Sequence, residues 1–207
     1  MILTDLSMKS TDIRERLREV DRFFQGKDQV HKTMRRVVKR LEKAGLPYVV
    51  AGGMAVVAQG YQRTTKDVDI LLTPQGLAEF RKQFVPKKYS SSPGRSRRFV
   101  DPVNDIPLDI LVTGAFPGSG QPGPITYPDP AQVGEEIGKI RYLNLETLIQ
   151  LKLAARRYKD FADVVYLIRA HNLDESFADR LHPSLRQDYI ECLEEERREE
   201  EYEARNG

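Results

Sequence analysis

The chain has 207 residues, with 33 Lys and Arg against 31 Asp and Glu and a net charge of +2. This length suits one domain with helical additions and excludes two large domains. The single cysteine, Cys192, excludes an intramolecular disulfide and a cysteine-rich zinc module. No apolar run approaches the roughly 20 residues that cross a bilayer, and the first residues lack the apolar core of a signal peptide. We therefore expect a cytoplasmic protein with no membrane partner.

The chain is predicted to begin with helices and to continue with alternating strands and helices. A helical period over 9–44 is broken by Gly26, which predicts two helices. Beyond it, short apolar runs between turn residues predict strands, and 3.6-residue periods predict helices. The predicted strands cover 48–51, 68–72, 98–100 and 108–112. The predicted helices cover 54–60, 74–84, 145–157, 160–171 and the acidic segment from 183 onward.

This order of elements predicts an α/β (α+β) fold, a small mixed β-sheet with helices packed on it. We expect an N-terminal helical segment over 1–44, a core over 45–143 and a C-terminal helical segment over 144–207. The stretch 114–130 holds four glycines and five prolines and is predicted to be a loop. A structureless connection of this length is unusual in a compact domain, so the loop is expected to be functional or mobile.

Two aspartates, Asp67 and Asp69, are separated by one residue in an otherwise apolar strand. Side chains two apart on a strand point to the same face, where two carboxylates can hold Mg²⁺ together with phosphates and water. The alternative is that Asp67 is a strand-end acid in water and Asp69 pairs with an arginine. Because the strand is apolar enough to be buried, an unpaired carboxylate there is costly and requires a metal or another cation nearby.

A third acid, Asp109, lies in PLDILV, a segment with nearly the same pattern as DVDILL. If these two strands are neighbours, three carboxylates meet at one edge of the sheet. Such a group suits two-metal phosphoryl chemistry, in which ions clamp the entering and leaving oxygens. The alternative is an unrelated strand acid that pairs with Arg63 or Arg98.

A glycine pair, Gly52 and Gly53, follows the first predicted strand and precedes the short helix. Glycine permits positive φ and close approach of the backbone to a ligand, and free N–H groups at a helix start attract phosphate. An ordinary tight turn explains the pair equally well. Directly before Asp67, two cations and two hydroxyls suit a triphosphate held near a metal: Arg63, Thr64, Thr65 and Lys66.

These residues resemble the nucleotidyltransferase superfamily related to polymerase β, and within it the AbiE-type toxin nucleotidyltransferases and their stand-alone bacterial relatives. The resemblance rests on the glycine pair, the RTTKDVDI block, Asp109, and a later LETLIQLKLAARRYKDFADVVYLI block with a lysine before a K/R-D-x-x-D element. It covers about residues 48–168. Gly53 departs from the serine that members often carry after the first glycine, and the 114–130 loop matches no element of the family.

The resemblance implies transfer of a nucleoside monophosphate from a nucleoside triphosphate to an acceptor hydroxyl of RNA, a protein or a small molecule, with Mg²⁺ or Mn²⁺. It includes the possibility of a toxin–antitoxin enzyme with a cognate antitoxin-like partner. The alternative is a non-catalytic nucleotide-binding or regulatory member of the same fold. The residues assigned are Asp67, Asp69 and Asp109 as metal ligands, Gly52, Gly53, Thr65 and Lys152 at the phosphates, and Asp160 in the second catalytic motif.

Two residues of the later block also have interpretations of their own. Lys152 shares a helical face with Leu145 and Leu148, so its ammonium needs a route to water, a phosphate or an active-site carboxylate. Asp160 and Asp163 are spaced as an N-cap acid and an acid of the first helical turn. A catalytic or orienting role for Asp160 is the alternative, and the two roles can coexist.

A basic region lies between the two aspartate-bearing strands, with seven bases and no acid over 81–100. It predicts an anionic acceptor such as RNA. A solvated surface is the alternative, since only Tyr89 and Phe99 are at hand for base stacking. RNA binding without catalysis is a further alternative. The bases are Arg81, Lys82, Lys87, Lys88, Arg95, Arg97 and Arg98.

Overall fold

The structure is a computed structural model that describes residues 10–85 and 87–207. Within those residues the chain forms eight α-helices and seven β-strands. The helices are α1 (Ser10–Phe24), α2 (Gln29–Lys43), α3 (Gly52–Ala58), α4 (Pro74–Phe84), α5 (Pro130–Val133), α6 (Leu145–Ala155), α7 (Tyr158–His171) and α8 (Arg186–Asn206). The strands are β1 (Val49–Ala51), β2 (Val68–Leu72), β3 (Ser90–Ser91), β4 (Arg98–Asp101), β5 (Ile106–Val112), β6 (Gly134–Ile137) and β7 (Ile140–Leu143).

The strands form one mixed sheet in the order β3-β4-β5-β2-β1-β7-β6. The pairs β2–β5 and β1–β7 are parallel, and the other neighbours are antiparallel. The helices α2 and α4 pack against β2 and β5, and α3 packs beside β1 and β2. The predicted α/β fold, a mixed sheet with helices packed on it, is therefore confirmed.

The central strand β2 is buried on both faces, as its apolar sequence predicts. Val68 and Ile70 on one face and Leu71 on the other are each 0% exposed, which leaves Asp69 as a polar, partly buried side chain within a covered strand. The hydrophobic core continues from this strand into the helices, and it includes Val37 of α2 and Leu167 of α7. The three predicted segments each contribute to that core, while their boundaries stay a prediction.

Two edge strands were absent from the sequence prediction because their residues are polar. Ser90 and Ser91 of β3 are exposed, and β6 places Glu135 and Glu136 in solvent. A strand that pairs on one side and faces water lacks the apolar run that identifies a covered strand. The predicted helix start at Lys9 lies outside the described residues. No helix in 10–85 and 87–207 combines the length and apolar character needed to cross a membrane.

Candidate active site

Three charged side chains form a row across the centre of the sheet. In the parallel pair β2–β5, Asp69 lies opposite Asp109, and in the antiparallel pair β4–β5, Arg98 lies opposite the same Asp109. Residues directly opposite in a ladder carry their side chains on the same face. The condition on which the meeting of the carboxylates depended, that the two aspartate-bearing strands are neighbours, is met, and an arginine on a third strand joins them. We call Asp67, Asp69 and Asp109 the strand cluster.

The glycine pair makes room for the side chains that form this cluster. A Cβ atom on Gly52, whose φ is +56°, would lie 1.8 Å from Oδ2 of Asp69. A Cβ atom on Gly53 would lie 2.6 Å from Oγ1 of Thr65, and this hydroxyl donates a 2.9 Å hydrogen bond to Oδ1 of Asp67. Gly52 is therefore required by its close contact with Asp69, and Gly53 by its close contact with the threonine that holds Asp67, neither of which the sequence revealed. Their predicted contact with phosphate stays a prediction.

The Asp69 carboxylate lies among negative charges that the protein only partly compensates. Burial, followed by the neighbouring Asp67 and Asp109 carboxylates, raises the pKa of Asp69 to about 7. Burial also raises the pKa of Asp109, although the Arg98 guanidinium opposes this effect. Nη1 of Arg98 lies 3.3 Å from Oδ2 of Asp109, so the alternative pairing considered from the sequence is present in the structure. The cluster as a whole favours a further cation near Asp69.

The strand cluster has part of what a magnesium site needs. Among residues 10–85 and 87–207, no group of three or more His, Cys, Asp or Glu side chains is arranged to hold a metal ion by itself. Mg²⁺ commonly uses one or two carboxylates and takes its other ligands from phosphates and water. Asp67 and Asp69 fit such a shared site, because the excess negative charge around Asp69 is what a dication offsets. Metal binding by Asp67, Asp69 and Asp109 stays a prediction.

A cavity of about 590 Å³ opens beside the strand cluster. Asp69 and Asp109 line it, and Asp67 does not. One wall carries Arg95 and Arg97 of the turn before β4 and Arg98, the first residue of β4. The lining also includes the 116–120 part of the long loop and apolar side chains of α6. The loop that was predicted to be functional or mobile thus borders the same cavity as the aspartates.

The same cavity is bordered by a buried ionic network, which we call the helix cluster, through Lys152, Arg157 and Asp160. Its centre is Lys152, only 7% exposed, whose Nζ donates to Oδ1 of Asp160 at 3.1 Å and to Oδ2 of Asp163 at 2.5 Å. Arg157 also donates to Asp160, and Nη2 of Arg63 donates to Asp163 at 3.0 Å. The expected anion beside Lys152 is therefore a pair of carboxylates. Contact of Lys152 with a nucleotide phosphate stays a prediction.

The prediction that Asp160 caps a helix is wrong. The helix α7 begins at Tyr158 with Arg157 at the N-cap, and Asp160 lies within the first turn. Its carboxylate accepts from the Lys152 and Arg157 side chains, because charged donors bind a buried carboxylate more strongly than a backbone N–H does. Asp163 lies beyond the first turn and shares Lys152 with Asp160, while its second cation is Arg63. Sequence analysis missed its role, although the i,i+3 spacing from Asp160 places both acids on one helical face.

The residues that precede Asp67 divide between two tasks. Arg63 is committed to Asp163 and to the carbonyl of Thr64, at 3.1 Å, and so it does not pair with Asp109. Thr65 holds Asp67, whereas Thr64 and Lys66 are exposed. Their predicted contacts with a triphosphate stay predictions. The helix cluster and the strand cluster are joined through this short segment.

The basic region separates in the same way. Arg95, Arg97 and Arg98 line the cavity, and the exposed Lys87 and Lys88 do not. The remaining two bases serve local structure: Arg81 donates to the carbonyl of Ser96, and Lys82 pairs with Glu79 at 3.6 Å. Only the second half of the basic region is therefore placed to meet a ligand in the cavity.

The chain matches no family model and no curated protein. Among solved structures it is similar to ANT(2")-Ia in complex with adenylyl-2"-tobramycin, at 14% identity over 78% of this chain and 97% of that chain, with a TM-score of 0.48. It is similar to JHP933 from Helicobacter pylori, at 18% identity over 79% and 78% with a TM-score of 0.44. It is also similar to an antigenic nucleotidyltransferase-like protein from Paracoccidioides brasiliensis, at 16% identity over 64% and 72% with a TM-score of 0.40. Because these identities and scores are low, the similarities assign no activity and no residue role to this chain.

Proposed function

We propose that this protein is a metal-dependent nucleotidyltransferase that moves a nucleoside monophosphate from a nucleoside triphosphate to an acceptor hydroxyl. One observation carries the proposal: Asp69 and Asp109 lie opposite each other on neighbouring strands and both line a cavity bordered by arginines. Carboxylates short of positive charge attract a dication, and arginines beside them attract phosphates. A metal–triphosphate complex supplies both partners at once.

The residues that would hold the metal are Asp67 and Asp69, with Asp109 joining them when it is free of Arg98. Mg²⁺ or Mn²⁺ bound there would offset the negative charge that develops on the phosphates during transfer. Gly52 has no side chain to enter the space that the Asp69 carboxylate occupies. Thr65 orients Asp67 through its hydrogen bond. These contacts fix two carboxylates before substrate arrives, which is the preorganisation that electrostatic catalysis requires.

The proposed reaction is an in-line displacement at the α-phosphorus. The acceptor oxygen forms a bond to this phosphorus while the bond to the oxygen shared with the β-phosphate breaks, and pyrophosphate leaves. The proton of the acceptor hydroxyl passes to the Asp109 carboxylate. Burial raises the pKa of Asp109 above its ordinary value, which makes it a better base at neutral pH.

The cations of the cavity would neutralise the triphosphate. Arg95 and Arg97 are exposed residues of the cavity lining, and Lys152 and Arg157 line the same cavity. Lys152 would offset triphosphate charge while it stays held by Asp160, so that its ammonium keeps a fixed position. An RNA acceptor is supported by the exposed arginines, since guanidinium groups bind phosphodiesters well. A protein or small-molecule hydroxyl is compatible with the same chemistry.

A second candidate is a protein that binds nucleotide without transferring it, such as a regulatory half of a toxin–antitoxin pair. The observation that favours it is the ion pair between Arg98 and Asp109, together with the lack of a self-sufficient metal-binding group within the described part of the chain. Such a protein would be stabilised by Mg²⁺ and a triphosphate but would transfer nothing.

The test is to incubate the pure protein with each α-labelled nucleoside triphosphate, Mg²⁺ and total cell extract, and to identify which fraction becomes labelled. The Asp67→Asn/Asp69→Asn variant should transfer nothing. The matched control is Asp105→Asn, because Asp105 is an exposed acid in the turn between β4 and β5. Equal transfer by the wild type and the double variant would remove the proposal. Thermal stabilisation by Mg²⁺ and triphosphate without transfer to any fraction would favour the second candidate.

A further inference from the structure

We propose that Arg98 masks Asp109 in the nucleotide-free protein, and that an anionic substrate must draw Arg98 away before Asp109 can bind a dication or accept a proton. The inference rests on the proposed function and deepens it, because it names the residue that makes the site depend on its substrate. In its free form the protein then presents Asp67 and Asp69 to a dication and withholds the third carboxylate.

The position of Arg98 makes it a direct competitor for a cation at this site. It lies opposite Asp109 in the β4–β5 ladder, and Asp109 lies opposite Asp69 in the next ladder. The three side chains therefore follow one another on one face of the sheet. A guanidinium 3.3 Å from Oδ2 of Asp109 occupies a carboxylate oxygen that a metal would need, and its charge repels a dication nearby.

The Arg98–Asp109 ion pair can be broken at low cost, because both side chains are partly exposed. Its side chains are 29% and 26% exposed, against 8% and 5% for Lys152 and Asp163 in the helix cluster. Breaking a buried pair is costly, whereas a partly exposed pair is worth little on its own. A single contact joins Arg98 to Asp109, and Lys152 has two carboxylate partners. Arg98 can therefore exchange Asp109 for another anion at modest cost.

The residues around Arg98 can bring an anion close to its guanidinium. Arg95 and Arg97 line the same cavity wall, and both are exposed. Gly94 has a φ of +69° and no atom within 4 Å of where a Cβ would stand, so the turn before β4 has free space around it. Phosphates that bind these arginines would reach Arg98 as well and compete with Asp109 for its guanidinium.

Masking has a measurable consequence in the absence of any nucleotide. Binding of Mn²⁺ to the nucleotide-free protein is measured by electron paramagnetic resonance for the wild type, Arg98→Gln and the matched control Arg97→Gln. Arg97 has the same charge and lines the same wall, but it does not face Asp109 in the ladder. We expect Arg98→Gln to bind Mn²⁺ about tenfold more tightly than the wild type, and Arg97→Gln to stay within about twofold. Equal affinities for Arg98→Gln and Arg97→Gln would overturn the proposal.

Two further variants keep the result interpretable. In Arg98→Gln/Asp109→Asn the gain in Mn²⁺ affinity should disappear, and a gain that persists contradicts a role for Asp109. If circular dichroism shows that Arg98→Gln does not fold, Arg98→Met is used in its place, because methionine preserves the aliphatic stem of the arginine. If the wild type transfers nucleotide but Arg98→Gln shows no gain in Mn²⁺ affinity, the masking proposal is wrong and the proposed function stands. If Arg98→Gln binds Mn²⁺ tenfold more tightly but the protein transfers no nucleotide, the proposed enzymatic function is wrong and masking stands.

Discussion

The strand cluster and the helix cluster both contain buried carboxylates and both contribute residues to the same cavity, yet their charge balance is opposite. In the helix cluster, burial alone would raise the pKa of Asp160, but hydrogen bonds from Arg157 and Lys152 outweigh it and hold this pKa below its ordinary value. In the strand cluster, burial and two neighbouring carboxylates raise the pKa of Asp69 to about 7. The helix cluster therefore contributes stability by itself, and the strand cluster gains stability only when a cation binds.

The largest expected difference between the clusters is in catalysis. Asp69→Asn should lower the rate of nucleotidyl transfer by about a thousandfold, because a neutral amide removes the charge that would hold the metal. The variant should fold normally, since the substitution keeps the shape of the side chain. Initial rates with an α-labelled triphosphate measure the loss. The exposed Asp105→Asn variant serves as the control, and a loss below tenfold for Asp69→Asn would contradict a metal-binding role.

The second difference concerns stability. Lys152→Met should lower the free energy of unfolding by about 3–5 kcal/mol, because it leaves two buried carboxylates without their shared cation. Urea denaturation at pH 7 measures this effect. Lys39→Met is the matched control, since Lys39 is an exposed lysine on α2. If Lys152→Met/Asp163→Asn regains part of the lost free energy of unfolding, the loss is due to the unpaired carboxylate. A loss below about 1 kcal/mol for Lys152→Met would show that Lys152 does not stabilise the two carboxylates.

The third difference is in the response to pH. Because the pKa of Asp69 is raised, ionisation of its carboxylate destabilises the folded protein. This loss of stability is zero below the ordinary pKa of 3.8, increases as the pH rises, and reaches its full value above about pH 7. Without dications, Asp69→Asn should therefore be more stable than the wild type at pH 8, by a few kcal/mol at most. The lowered pKa of Asp160 acts in the opposite sense, and its stabilisation is lost as pH falls through that pKa.

Urea denaturation in EDTA at pH 8 and pH 5 checks this response. The stability difference between Asp69→Asn and the wild type should shrink at pH 5, and Mg²⁺ at pH 8 should reduce it as well by stabilising only the wild type. Identical stabilities of the two proteins at pH 8 would show that the Asp69 carboxylate is already compensated within the protein.

The smallest expected effect is at the link between the clusters. Thr65→Val should cost about 0.5–1.5 kcal/mol of stability, because it removes the hydrogen bond to Asp67 while keeping the shape of the side chain. Thr64→Val, at an exposed neighbour, should cost less. Thermal unfolding of both variants measures the difference, and equal midpoints would mean that the bond to Asp67 does not orient this carboxylate.

Apolar patterns were sufficient to predict the centre of the fold. The strand over 68–72 and the helix over 74–84 have the predicted bounds, because one is a continuous buried run and the other begins with a proline. Polar edge strands such as β3 were missed, since pairing alone rather than burial maintains them. The neighbouring placement of Asp69 and Asp109 was a condition and not a prediction of the sequence analysis, because tertiary packing decides which strands are neighbours in a sheet.

The charge partners were less accessible to sequence analysis. Arg63 and Asp163 lie 100 positions apart, and no local pattern indicates that they meet. Lys152 was expected to need an anion, but the identity of this anion depends on how α6 and α7 cross. The predicted cap at Asp160 failed for the same reason, since a local rule cannot account for a lysine brought in by tertiary packing.

The contact between the long loop and α6 has a consequence for the shape of the cavity. Gly118 has a φ of +66°, and a Cβ on it would lie 2.5 Å from the carbonyl oxygen of Ala155, so the loop backbone rests directly on the end of the helix. Any side chain at position 118 would push the loop away from α6. Because Gly118 and Ala155 both line the cavity, the absence of a side chain at this one position helps to set the form of the space beside the aspartates.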